Sequence, residues 1–240
     1  MKLIKWNHDP VTLYWASRVR PRTGEAPRAQ YAGHPCAQET WRRYTLEDFP
    51  PYCEYERRGY LFCSPSNIIK CFAEARMLEA LALTVAWGGM ARTVKYVYTR
   101  PYTDIEEILS ECRKQIEVDR SLEGAWQLLR TELSWTNVMI SKSMHFMVRS
   151  LGYETNPPIP IDNQVILNQI WPMFRTKVIE SRGREEPFLP GEWRDYGHSW
   201  TAYNRYMTAI NTWARITSWT TTELENTLFG ASEMDVFNVA

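Results

Sequence analysis

The sequence has no apolar run long enough to cross a membrane. Its most apolar stretch, Met77 to Ala86, is about half as long as a spanning helix and contains Glu79. It also has no excess of either charge, because 28 lysines and arginines balance 28 aspartates and glutamates. This balance argues against a uniformly basic coat for nucleic acid. It leaves room for a local basic cleft, since groove contacts depend on where charges lie.

Motifs for several common chemistries are missing. The chain has no glycine-rich phosphate loop, no Gly-x-Ser-x-Gly nucleophile elbow and no His-Glu-x-x-His zinc motif. Its five cysteines include no Cys-x-x-Cys pair, and its four histidines show no ligand spacing. We therefore expect no metal and no cofactor. The odd number of cysteines and the lack of a signal peptide predict an intracellular, cytoplasmic protein with reduced thiols.

Two regions of the chain differ in composition. Residues 1–66 are rich in proline, arginine, tyrosine and tryptophan, which predicts an irregular N-terminal extension packed on the core. Its arginines lie either in a solvated loop or against DNA phosphates. Residues 67–240 space their apolar residues as helices do and predict an all-α domain. The predicted helices are Asn67–Trp87, Asp104–Asp119, a helix from Ser121 or Leu122 to Leu133, Lys142–Leu151, Asn163–Lys177 and a C-terminal helix with a stripe of Trp200, Tyr203, Met207, Ile210 and Ala214.

The stretch 136–166 carries the main chemical signal. Its first helix has an apolar stripe, which predicts one face buried in a core. A different face is basic. Ser141 is predicted to be the N-cap, which would place the first basic residue beside unpaired backbone N–H groups that suit a phosphate. The stripe consists of Ile140, Met144, Met147 and Leu151, and the basic face of Lys142, His145 and Arg149.

A proline-rich link follows this helix. Gly152 predicts the helix end, because glycine readily adopts the left-handed conformation that closes a helix. The segment Pro157–Pro160 cannot continue a helix and predicts an extended link. Asp162 is then predicted to be the N-cap of the next helix. It lies 20 residues after Lys142.

Lys142 and Asp162 have a catalytic interpretation as a pair. An aspartate at a helix N-terminus stays ionised and can stabilise positive charge that develops in a transition state. A lysine amine can act as a nucleophile when burial or neighbouring cations lower its pKa. Taken singly, the aspartate is more often only a cap and the lysine only a solvated side chain. Their joint occurrence around the proline link favours the catalytic interpretation.

This arrangement resembles the helix-hairpin-helix DNA glycosylases, the superfamily that includes 8-oxoguanine glycosylases and endonuclease III. That family has a hairpin, a helix carrying a lysine nucleophile, a short link with proline and an aspartate at the next helix start. The segment PIDNQVI at 160–166 resembles the family pattern P-V-D-T/N-x-V. The hairpin departs from it, since Val138-Met139-Ile140-Ser141 stands where the family has a glycine-rich turn. No cysteine follows Cys112, so no iron–sulfur cluster is expected.

The resemblance implies an all-α, two-subdomain glycosylase fold with the active site in the cleft between the halves. Lys142 and Asp162 would be the catalytic residues. In the family, the loop after the long helix often inserts a side chain into the duplex, a role that falls here to Met90 or Arg92. The aromatic residues either pack in the core or form a stacking wall for a flipped base. The remaining candidates are Ser141, Ser143, His145 and Arg149 for DNA binding, and Trp87, Trp200, Tyr203 and Trp219 for the base pocket.

The expected function is excision of a modified base from double-stranded DNA by a monomer, with no membrane partner. We lean towards a bulky base of phage DNA, such as glucosylated hydroxymethylcytosine, in antiviral defence. One alternative is an 8-oxoguanine glycosylase, with or without lyase activity, in base-excision repair. A second is a DNA-binding protein of the same fold without chemistry. A third is an aromatic-lined sugar-binding module, which the tryptophan count suits and the helical pattern does not.

Overall fold

The computed structural model describes residues 36–37, 60–61, 65–88, 94–153, 157–161, 199–217, 220–221 and 224. This part of the chain is almost entirely helical, as predicted for an all-α protein. Its only strands are β1 (Cys36–Ala37) and β2 (Tyr60–Leu61), which pair antiparallel. The helices are α1 (Pro65–Ala73), α2 (Met77–Trp87), α3 (Val94–Val97), α4 (Tyr102–Asp119), α5 (Leu122–Leu133), α6 (Asn137–Ser150) and α7 (Trp200–Thr217).

The chain divides into two compact units. One contains residues 29–158, and the other combines residues 1–28 with residues 159–240. Helices α1 to α6 belong to the first unit and α7 to the second. Most of the predicted extension 1–66 and all of the predicted helix Asn163–Lys177 lie outside the described residues. None of the described helices is long and apolar enough to cross a membrane.

The predicted single helix Asn67–Trp87 is wrong, because the chain turns between α1 and α2. Ala75 has a φ of +57°, a left-handed conformation that no α-helix continues through. Arg76 stabilises the turn by pairing with Glu74 at 2.7 Å and with Glu79 in the first turn of α2. The sequence did not predict this break, because the apolar residues on both sides keep helical spacing and alanine strongly favours helices.

Left-handed residues also follow α4 and α5, at Arg120 and Ser134. Helix α4 begins at Tyr102 rather than at Asp104, and Arg120 follows its last residue with a φ of +56°. Ser121 is the N-cap of α5, and its Oγ accepts a hydrogen bond from the Gly124 amide at 2.9 Å. The predicted bounds of α5 are confirmed.

Helix α6 begins earlier than predicted. Thr136 holds the N-cap position and Asn137 is the first helical residue, so the prediction of Ser141 as the cap is wrong. The Ser141 hydroxyl donates to the Val138 carbonyl at 3.2 Å inside the helix instead of accepting from a free amide. The predicted end is confirmed, since Gly152 has a φ of +76° just beyond the helix. Lys142 therefore lies in the second turn of α6 and away from its N-terminus.

Helix α6 is the centre of the first unit. It contacts α1, α2, α4 and α5. The apolar side chains of Ile140, Met144, Phe146 and Met147 are fully buried along it. The buried residues occupy nearly every face of the helix, so α6 crosses the interior instead of lying on it.

In the second unit, α7 buries the predicted stripe. Tyr203, Met207, Ile210 and Ala214 are buried, whereas Trp200 at the first position is partly exposed. Tyr206 is also fully buried. This stripe was readable from sequence because the opposite face of α7 stays polar and exposed at Asn204 and Thr208.

Candidate active site

Lys142 lies inside the protein. Only 2% of its surface is exposed, so the interpretation of this residue as a solvated surface lysine is wrong. Its Nζ lies 5.6 Å from the ring centroid of Trp87, within the range of a cation–π contact. Trp87 ends helix α2 and is itself 6% exposed. Helices α2 and α6 pack together and bring these two residues into contact.

Two serines flank Lys142, and both are fully buried. Ser141 makes the intrahelical bond to Val138 given above. Within the described part of the chain, the Ser143 Oγ makes no hydrogen bond. Both hydroxyls are therefore away from the protein surface. Their predicted role in DNA binding stays a prediction.

His145 is 7% exposed and has a fixed partner. Its Nδ1 lies 2.7 Å from the Pro158 carbonyl oxygen, and its Nε2 lies 3.5 Å from Nη1 of Arg149. A carbonyl oxygen only accepts, so Nδ1 carries a proton and donates it to Pro158. Arg149, at the half-buried end of α6, is the more accessible of the two.

The aromatic candidates fall in both units. In the first unit, Trp87 meets Phe146 edge to face, with ring centroids 4.9 Å apart. In the second unit, Trp200 meets Tyr203 in the same way at 5.9 Å. Burial raises the pKa of the Tyr203 hydroxyl, so this group remains a neutral donor. Each pair packs as core aromatics do, and their role around a flipped base stays a prediction.

Several predicted site residues lie outside the described residues: Asp162, Met90, Arg92 and Trp219. The described segment 157–161 stops immediately before Asp162, at the fully buried Ile161.

Sequence reasoning missed some residues that fix this region. Tyr206 donates to the Pro160 carbonyl at 3.3 Å, and Trp126 Nε1 donates to Oδ1 of Asn137 at 2.5 Å. A signal for both existed, because a buried tyrosine or tryptophan usually finds a hydrogen-bond partner for its polar end. Their partners could not be read from sequence, since Pro160 is 46 residues away from Tyr206.

The buried face of α6 carries an amine and an imidazole, and the amine lies beside an indole ring. A buried lysine is costly in its charged form, so proteins place one inside mainly where it is paired or used chemically. No group of three or more metal-ligating side chains occurs among the residues that the structure describes. Comparisons of the chain with protein-family models, with curated proteins and with solved structures find no match.

Proposed function

We propose that this protein is a DNA glycosylase that removes a modified base through Lys142. The observation that carries the proposal is the burial of Lys142 at the centre of α6, with an aromatic ring against its amine. Its position 20 residues before Asp162, with the proline link between them, adds the resemblance to helix-hairpin-helix glycosylases.

The proposed cleavage of the glycosidic bond requires a neutral Lys142 amine close to the sugar. The Nζ lone pair attacks C1′ while the bond between C1′ and the base breaks, and the base leaves with that electron pair and takes up a proton. The amine then loses a proton and the sugar ring opens, which gives a Schiff base. Asp162 would stabilise the positive charge that builds on the sugar before the bond is fully broken.

The proposed substrate is a bulky modified base, such as glucosylated hydroxymethylcytosine. Extruding a nucleotide costs a few kcal/mol, and the cost is least for bases that pair poorly. The departure from the glycine-rich hairpin supports a specialised site, since α6 already begins at Asn137 and leaves only Ser134-Trp135-Thr136 between α5 and α6. Plain 8-oxoguanine is the competing substrate.

Base excision with trapping tests the proposal. Labelled duplexes carrying glucosylated hydroxymethylcytosine, 8-oxoguanine, uracil or no modification are incubated with protein, then treated with alkali or with borohydride. We expect excision of the bulky base and a covalent adduct. Both should fall by more than about 10³-fold in Lys142→Gln, as for loss of a nucleophile. Asp162→Asn should lose excision as well.

Lys114→Gln is the matched control, because Lys114 is a lysine on the exposed surface of α4 whose Nζ lies 3.8 Å from a carboxylate oxygen of Glu111. It should retain full activity. Excision that survives in Lys142→Gln would give the nucleophile's role to water. Tight DNA binding with no excision of any base would instead favour the non-catalytic DNA-binding protein.

A further inference from the structure

The link 157–161 is rich in acceptors and poor in donors. Three of its five residues are prolines, which have no backbone N–H, so only Ile159 and Ile161 can donate. All five residues are buried, and none belongs to a helix or strand. A buried carbonyl needs a hydrogen-bond donor, and this link cannot supply enough of them from its own backbone. The donors must therefore come from other parts of the protein.

Three consecutive carbonyls of the link receive such donors. His145 Nδ1 donates to Pro158 at 2.7 Å within the first unit. Within the second unit, the hydroxyl of Tyr203 donates to Ile159 at 3.2 Å and that of Tyr206 donates to Pro160 at 3.3 Å. The histidine bond is the shortest, and the two tyrosine bonds are long for hydroxyl donors. The histidine should therefore contribute the most.

The three donors suit a buried link. The two tyrosine hydroxyls donate in their neutral form, so burying them avoids the cost of a buried charge. Both tyrosine side chains are fully buried, and His145 is nearly so. None of the three lies on the link itself: a side chain of α6 holds Pro158 within the first unit, and side chains of α7 hold Ile159 and Pro160 within the second.

We propose that His145, Tyr203 and Tyr206 are positioning residues that fix the backbone leading into Asp162. This inference rests on the proposed function, because it assigns Asp162 a place in the reaction. Asp162 follows Pro160 by only two residues in the sequence, so the backbone at Pro160 limits where the next residues can go. A link that shifts by about 1 Å would displace the carboxylate enough to slow the reaction as much as about 10²-fold. His145 would thus act on the reaction through the link and not through DNA.

Two substitutions of His145 test whether a hydrogen-bond donor at the Nδ1 position is enough without the imidazole ring. The amide nitrogen of asparagine takes the place of Nδ1, whereas that of glutamine takes the place of Nε2. His145→Asn should keep the bond to Pro158 and stay within about 3-fold of the wild-type single-turnover rate, whereas His145→Gln should lose about 10-fold or more. Tyr206→Phe and Tyr203→Phe should show smaller losses. DNA affinity should be unchanged in all four.

Two NMR measurements do not depend on activity. Nitrogen-15 correlation spectra of the wild type should show His145 with its proton on Nδ1. Hydrogen exchange at the only two amides of the link, Ile159 and Ile161, should quicken in His145→Gln and Tyr206→Phe and stay slow in His145→Asn. Melting temperatures identify any variant that is globally unfolded.

The outcomes separate the two proposals. If the wild type excises no base, the proposed function fails. The nitrogen-15 spectrum of His145 and the exchange rates of Ile159 and Ile161 then still show whether these side chains hold the link. A proton on Nε2, or equal exchange in the asparagine and glutamine variants, overturns the inference. So does a His145→Gln variant that excises at the wild-type rate, or one that loses only DNA affinity.

Discussion

Helices α4 and α6 belong to the same compact unit, but they differ in where their charged side chains lie. On α4, the buried residues form one stripe of Ile105, Leu109, Cys112 and Ile116. Most of its acidic and basic side chains are exposed, whereas Arg113 is half-buried. On α6, buried positions occupy nearly every face and include Lys142 and His145. An exposed charged group on α4 has almost no desolvation cost, since water solvates it. On α6 a charged group loses its hydration, which costs free energy. Such a group is therefore rarely buried without a specific role, so its presence points to function.

The largest expected contrast between these helices is in packing. Phe146 on α6 is fully buried against Trp87, so Phe146→Ala should lower the free energy of unfolding by about 3–5 kcal/mol. Val118 on α4 is 68% exposed, and Val118→Ala should change the free energy of unfolding by less than about 0.5 kcal/mol. Chemical denaturation of both variants measures the difference. Equal effects would mean that α6 does not occupy the centre of the unit.

The two helices also show what could be predicted from sequence. Helix α4 and the stripe of α7 were predictable, because each has one apolar face and one polar face. For α6, the stripe of Ile140, Met144 and Met147 was correct, but the periodicity implied that Lys142 faced away from the core. A helix surrounded by other helices buries every face, and a pattern that separates only two faces cannot report that.

The candidate site was predictable in its residues and not in its contacts. The order of lysine, proline link and aspartate is local in sequence and could be read directly. The contact of Lys142 with Trp87 joins residues far apart in the chain, and so do the bonds from α7 to the link. The break at Ala75 was missed for a different reason, since the left-handed conformation there belongs to a residue that favours helices.

A second contrast concerns buried thiols on two helices. Burial raises the pKa of Cys71 on α1 from 9.0 to about 11, with the nearby Glu79 charge adding to the effect. Burial also raises the pKa of Cys112 on α4, further than that of Cys71. Both thiols should stay protonated at pH 8, so they should react slowly with a disulfide reagent in the native protein. Mass spectrometry of the labelled sites distinguishes them from the other cysteines.

The same shift predicts a loss of stability at high pH. In the unfolded chain, Cys71 gives up its proton near pH 9, whereas in the folded protein it keeps the proton until about pH 11. The stabilisation is therefore complete below pH 9 and is lost as the pH rises towards 11, by up to about 2–3 kcal/mol. Cys71→Ala should show a shallower decline over this range. An identical decline in both proteins would place the Cys71 thiol in contact with solvent.

The smallest contrast separates the N-termini of α5 and α6. Ser121 caps α5 by accepting from the Gly124 amide, whereas Thr136 at the corresponding position of α6 makes no such side-chain bond. Ser121→Ala should therefore cost about 1 kcal/mol, and Thr136→Ala only a few tenths. Thermal unfolding of the two variants resolves a difference of this size. A comparable loss in Thr136→Ala would give α6 a working cap at Thr136. With no cap bond to lose, α6 is stabilised at its start by the buried bond from Trp126 to Asn137, which fixes the first residue of the helix that carries Lys142.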